Sequence, residues 1–170
     1  MLFRMTLAAH AATGALLAAF VPEHPVIAFT LGFGSHFLLD AIPHWDYHLS
    51  SIEDDEDPLE MKMPFGWNFF FDILKIGLDF ALGIIIGCLV FPALFHFPLT
   101  TAIVFGAAGA TLPDLLTFLY TRFPYGVFYS IMQFHVFVHT EGKIKNWKIG
   151  FPLQVAFVLS VCLIFFLVKK

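Results

Sequence analysis

Five apolar segments, residues 5 to 21, 25 to 43, 69 to 91, 99 to 120 and 150 to 168, occupy most of the chain. Each approaches the roughly 20 residues needed to cross a hydrocarbon core about 30 Å thick. In lipid a spanning segment has to satisfy its own backbone N–H and C=O groups, so uninterrupted runs of this length are helices. A soluble fold of 170 residues, 59% hydrophobic and 13% charged, has nowhere to hide that much apolar surface. The sequence therefore predicts an all-α polytopic membrane helical bundle with about five transmembrane helices. A further segment, "FPYGVFYSIMQFHVFVH" at 123 to 139, is apolar and aromatic but short, and is expected to lie at the interface, to re-enter or to span.

No Ser/Gly-rich linker, repeat or low-complexity tract divides the chain, so residues 1 to 170 are expected to form a single integral-membrane domain with an acidic loop at about 44 to 66. Pro22 and Pro25 bracket a short turn that makes the first two helices antiparallel, and Pro92 with Pro98 punctuates the link between the third and fourth. Cys88 and Cys162 sit in apolar runs without metal-site spacing and read as small buried hydrophobes. A net charge of -4 without a basic cluster argues against a nucleic-acid partner. The opening "MLFRMTLAAHAATGALLAAF" resembles a signal peptide only superficially, because a histidine inside its apolar region fits a retained helix better. Short loops rich in Lys and Arg stay cytoplasmic. A cytoplasmic N-terminus places Arg4, Lys62, Arg122, Lys143, Lys145 and Lys148 inside, against Lys169 and Lys170 outside.

In this setting "GFGSHFLLDAIPHWDYH", residues 32 to 48, is unusual: it carries His36, Asp40, His44, Asp46 and His48. A charged group at the centre of a spanning helix costs about 2.5–3.5 kcal/mol on insertion scales, so each such group needs a reason. In the layout above His10, His36, Asp40 and Asp114 come to one depth near the cytoplasmic face, with His44, Asp46, His135 and His139 in the adjoining segments. His36 and Asp40, and likewise His135 and His139, are four residues apart and share a helix face.

Taken singly, these residues have structural explanations. His10 reads as a buried histidine bonded to a carbonyl, His36 with Asp40 as a hydrogen bond joining helices, and Asp114 as the cap of a helix restarted after Pro113. His135 and His139 read as facing interfacial water. Taken together, at one depth, they point to a shared metal or catalytic site. Imidazole and carboxylate donors without thiolate suit zinc, manganese or iron, zinc being the default for a hydrolytic centre. Elsewhere Asp72 and Lys75 are expected to pair, Asp79 to support the cluster, and "GIIIG" (83 to 87) and "GAAGA" (106 to 110) to pack helices closely. His24 and His96 fall at the opposite side, and His48 reads as a surface residue.

His10, "SHFLLDAIPHWD" (35 to 46), "GATLPDLL" (109 to 116) and "FHVFVH" (134 to 139) together resemble the bacterial predicted membrane-bound metal-dependent hydrolases, and more distantly the helical zinc-dependent phospholipases C. The resemblance covers most of the chain through short motifs. It implies a bacterial inner-membrane protein and a metal set of His10, His36, Asp40, Asp114, His135 and His139. Here the H-x-x-x-D motif precedes LPD, and Leu115 and Leu116 stand where the family carries a further acidic residue and a histidine.

The leading expectation is a hydrolase for a phosphoester or other ester of a lipid-like substrate drawn from the surrounding membrane lipids. Its metal set would hold a divalent metal, one or two Zn ions, and His44 or Asp46 would orient or deprotonate the attacking water. A cation or proton carrier using the same residues would need polar groups at successive depths, whereas the outer halves of the helices carry almost none. A membrane scaffold would use these residues only to lock helices together.

Overall fold

A computed structural model describes residues 6–45, 47–53, 57–139, 144 and 146–168. The described residues are helical, and their only β-type pairing is an isolated bridge between Glu53 and Lys62. In chain order the helices are α1 (Leu7–Ala18), α2 (Pro25–Asp40), α3 (Trp67–Ile85), α4 (Phe91–Phe95), α5 (Thr101–Tyr120), α6 (Val127–Val138) and α7 (Trp147–Val168).

Three helical stretches are long and apolar enough to cross a membrane: Trp67–Phe95, Thr101–Tyr120 and Trp147–Val168. α1 and α2, with 12 and 16 residues, are shorter than the apolar segments that contain them. At 1.5 Å per residue they measure roughly 18 and 24 Å. For α1 the reason lies in what surrounds it. α1 is buried along almost its whole length, so its neighbours are protein and nothing ties its length to bilayer thickness. α6, with 12 residues, is also too short to cross by itself.

The stretch Trp67–Phe95 runs on past Pro92, which stands inside it as the second residue of α4. Proline has no N–H for the carbonyl one turn back and its ring crowds that carbonyl. The turn immediately before it, Ile86–Val90, is wound as a π-helix, whose wider loop accommodates the misfit.

Alanine and glycine let α1 sit at the centre. A methyl on Gly87 would lie 2.6 Å from Ala15 Cβ, and one on Gly106 would lie 2.6 Å from Ala18 Cβ. Both small-residue motifs of the sequence therefore lie where α3 and its π turn, and α5, approach α1 almost backbone to backbone. Around this contact Ala11, Ala12, Ala15 and Leu16 pack with Ile103, Ala107, Phe91 and Phe165, and with Cys88 and Cys162, both free thiols. The exterior is the reverse of a soluble protein. Leu74, Leu78, Leu159, Leu163 and Phe166 are exposed, while His10, His36, Asp40 and Asp72 are buried. An apolar outside around a polar inside is what a bilayer selects.

The described loop residues 47–53 and 57–66 fold back over the bundle end instead of hanging in solvent. Met61 packs with Tyr120 and Met132, the Tyr120 hydroxyl donates to the Leu59 carbonyl at 2.7 Å, and Arg122 donates to the Met63 carbonyl while its guanidinium stacks over Phe65. Buried Asp72 accepts from Lys75 at 2.9 Å and from the Ser51 amide at 2.7 Å, so the expected Asp72–Lys75 pair also anchors the loop.

Candidate metal centre

Asp40, the last residue of α2, is the hub. Its Oδ1 lies 3.2 Å from His10 Nε2 on α1. Its Oδ2 lies 3.0 Å from His36 Nε2, one turn back, and 2.7 Å from His135 Nε2 on α6. His36 Nε2 also faces Asp114 Oδ1 at 3.8 Å, across from α5. Four helices thus deliver donors to one point, and His10, His36 and Asp40 are all at most 2% exposed.

The outer nitrogens of two rings are already committed. His36 Nδ1 lies 2.8 Å from the Ala110 carbonyl. A carbonyl only accepts, so Nδ1 carries the hydrogen and Nε2 presents either a lone pair or a second proton. The same logic fixes His135. The Thr117 hydroxyl donates to the Pro113 carbonyl at 2.8 Å, leaving its oxygen to accept from His135 Nδ1 at 2.9 Å. Both Nε2 atoms therefore reach Asp40 from rings oriented by a hydrogen bond at the far side, the arrangement that prepares histidines as metal ligands. The local sequence explains the partners: Pro113 interrupts the hydrogen-bond ladder of α5, and neighbouring groups on that turn are the ones the histidines use.

Protons alone leave one ring unexplained. Fully buried His10 has no partner for its Nδ1, and its Nε2 meets Asp40 Oδ1 at 3.2 Å without hydrogen-bond geometry. An orphaned buried polar group costs about 1–3 kcal/mol. The ring also stacks on His36 with centroids 4.1 Å apart and planes 26° from parallel, which disfavours charging both rings. A cation among His10, His36 and Asp114, whose donor atoms lie within 4.8 Å of one another, would use the one lone pair of a neutral His10 and remove the need to charge either stacked ring.

Two further donor triads meet the same criterion: His36, Asp40 and His135, and then Asp40, His44 and His139. The structure thus brings together all six residues expected to share a site, His10, His36, Asp40, Asp114, His135 and His139. It adds His44, expected from sequence as a catalytic group, to the donor set. Its Nδ1 donates to the Ile42 carbonyl at 2.7 Å, and its ring meets His139 with centroids 5.0 Å apart. Asp46, the other expected catalytic residue, lies outside the described residues, as do Arg4, Lys143, Lys145, Lys169 and Lys170. His48 is exposed, as expected.

Asp79, expected to support the cluster, does so through the backbone of α1. It stands outside the three donor triads and accepts from the Leu7 amide at 2.6 Å and the Ala8 amide at 3.4 Å, supplying the cap that Thr6 does not give α1. It supports the site by fixing the helix that carries His10. The Tyr47 phenol bonds to the same carboxylate, and burial together with that carboxylate holds it above its ordinary range, so it remains a donor. Two supporting residues escape a reading for ligands alone. Thr117 stands one turn after Pro113, and Gln154 is a buried amide inside α7 that donates to the Trp45 carbonyl at 2.6 Å, holding the segment next to His44.

The site opens on one side. A cavity of about 510 Å³ lies between α3, α5 and the loop, its wall built from apolar side chains together with Tyr47, Lys62, Thr111, Thr121 and Asp114. Asp114 is the least buried of the inner donors, its side chain 19% exposed, so the cavity and the donor cluster share a wall.

No protein-family model, curated protein or solved structure matches the chain.

Proposed function

We propose that the chain is a metal-dependent hydrolase embedded in the bacterial inner membrane, acting on a phosphoester or ester of a lipid-like substrate. The observation that carries this reading is the convergence of three imidazoles on one buried carboxylate, with the Nδ1 of one ring, His10, left without a partner. His10, His36 and Asp114 would hold one zinc; Asp40, His44, His135 and His139 would complete that site or hold a second zinc. Zinc bound there would supply Lewis acidity and lower the pKa of a bound water to about 7. The chain's own residues do the rest. His36 and His135 are held in one tautomer by Ala110 and Thr117, and Asp40 balances charge from the centre. His44 where it is not a zinc ligand, or Asp46 two positions on in the sequence, takes the proton of the attacking water. The apolar cavity at Asp114 excludes bulk water from the substrate side.

The membrane layout proposed with this reading has five spanning helices, a cytoplasmic N-terminus and the site near the cytoplasmic interface. Lys62, Arg122 and Lys148 fall at the loop end of the bundle, and the exposed Trp67 and Trp147 begin α3 and α7 at that end. Cationic short loops favour the cytoplasmic face, while interfacial tryptophans mark a membrane boundary on either side. α1 would cross within the bundle, packed among α2, α3, α5 and α7, and α2 would cross beside α1 and α5 with its outer face toward lipid.

Purified protein in nanodiscs, loaded with zinc and offered lipid phosphomonoesters, phosphodiesters and carboxylic esters, should turn over at least one class. Chelation should abolish turnover, zinc should restore it, and Asp114→Asn should remove it. Ion flux through proteoliposomes without hydrolysis of any ester would replace the hydrolase with a carrier.

A further inference from the structure

The cavity beside Asp114 is elongated. Its wall follows α5 from Ala108 to Thr121, roughly 20 Å of helix at 1.5 Å per residue. A cavity of about 510 Å³ along that stretch has room for an aliphatic chain. Ile76, Phe80, Leu115, Phe118, Met61 and Met63 give it an apolar lining from two helices and the loop. Asp114 is the only acidic and Lys62 the only basic side chain among the described residues of the wall. A methylene chain is held by apolar contact alone, at about 0.8 kcal/mol per buried CH₂, and needs no polar partner except where its head group begins.

Gly77 on α3 adds a second observation. It lines the cavity, and a Cβ built on it meets nothing within 4 Å. The glycines of the α1 contacts are small because a neighbour's backbone occupies the space; here the space is empty. Position 77 tolerates a side chain sterically, and glycine there keeps the channel open.

We propose that this cavity holds one aliphatic chain of the substrate, with the scissile head group beside Asp114 and Lys62 as the cation for an anionic head. The proposal rests on the hydrolase reading for the identity of the occupant, but chain binding is measurable without turnover.

The probe is a long-chain alkyl phosphate with a photoreactive diazirine on the chain, presented to the full protein in phosphatidylcholine nanodiscs and mapped by mass spectrometry. Labelling should concentrate on peptides carrying Ile76, Leu115 and Met61 and be displaced by unlabelled long-chain, but not short-chain, alkyl phosphate. Gly77→Phe, which fills the open space, should reduce it to the short-chain level while zinc content stays that of the wild type. Displacement in the wild type tests the proposal even if the variant is unstable. Label spread over the outward Leu74, Leu78 and Leu159 and not displaced by excess probe would overturn it. Equal labelling by a diazirine alkane without phosphate would assign the cavity to bulk lipid and overturn it as well. Selective labelling in a protein that holds no metal would sink the hydrolase and leave the chain site standing; metal binding with unselective labelling would do the reverse.

Discussion

Among single residues, the ones that decide the site are those that orient ligands, and Thr117 is the most testable. Its oxygen is the acceptor that keeps the hydrogen of His135 on Nδ1. Thr117→Val keeps the shape and removes the acceptor, so zinc affinity should fall by about 10–100-fold, as for other outer partners of metal-binding histidines. Competition with a chromogenic chelator reads this directly, and unchanged affinity would mean that His135 does not bind metal. The ligand candidates themselves were legible in the sequence because charge inside an apolar run is conspicuous and i, i+4 spacing puts donors on one face. Thr117 and Gln154 were not, since a hydroxyl or amide in a membrane helix is unremarkable until its partner is seen. His44 read as a catalytic group from sequence because it follows Pro43, beyond the end of α2; the fold turns it back toward Asp40 and His139.

Individual helices show how the same residue type takes opposite roles. Gly106→Val would drive a side chain into α1, where a single methyl already comes within 2.6 Å of Ala18 Cβ. Overpacking of this kind costs about 1–3 kcal/mol and should lower the melting midpoint in detergent, whereas Gly77→Phe should leave it nearly unchanged. Asp79→Ala removes the acceptor for the first amides of α1 and should cost about 1–2 kcal/mol, with weaker zinc binding as a secondary effect because His10 sits in that first turn. Circular-dichroism melts on the three variants separate these cases. The apolar runs revealed which stretches are helices, but their ends were less legible. Pro92 reads as a stop in sequence, yet the π turn absorbs it; α1 ends early because protein, not lipid, surrounds it.

For the whole molecule, the proposed orientation rests on where the cations gather. His48 lies at the loop end and His96 at the connection between α4 and α5. In cells, His96→Cys should react with a membrane-impermeant thiol reagent, while His48→Cys should react only after lysis. The reverse pattern would invert the topology and place the site outside. The convergence of four helices on Asp40 was foreseeable only as a shared depth, because sequence sets how far along its helix a residue lies but not which way that helix turns. Packing through Gly14, Gly83, Gly87 and Gly106 fixes the rotation and brings the donors face to face.

The most direct test of the account is the metal content of the protein purified without chelator. Elemental analysis should find a transition metal, zinc foremost, in stoichiometric amount, and its loss in His36→Ala and Asp40→Ala proteins that still insert and remain helical. A metal-free wild type that also takes up no zinc in titration, or full metal retention in both variants, would contradict it.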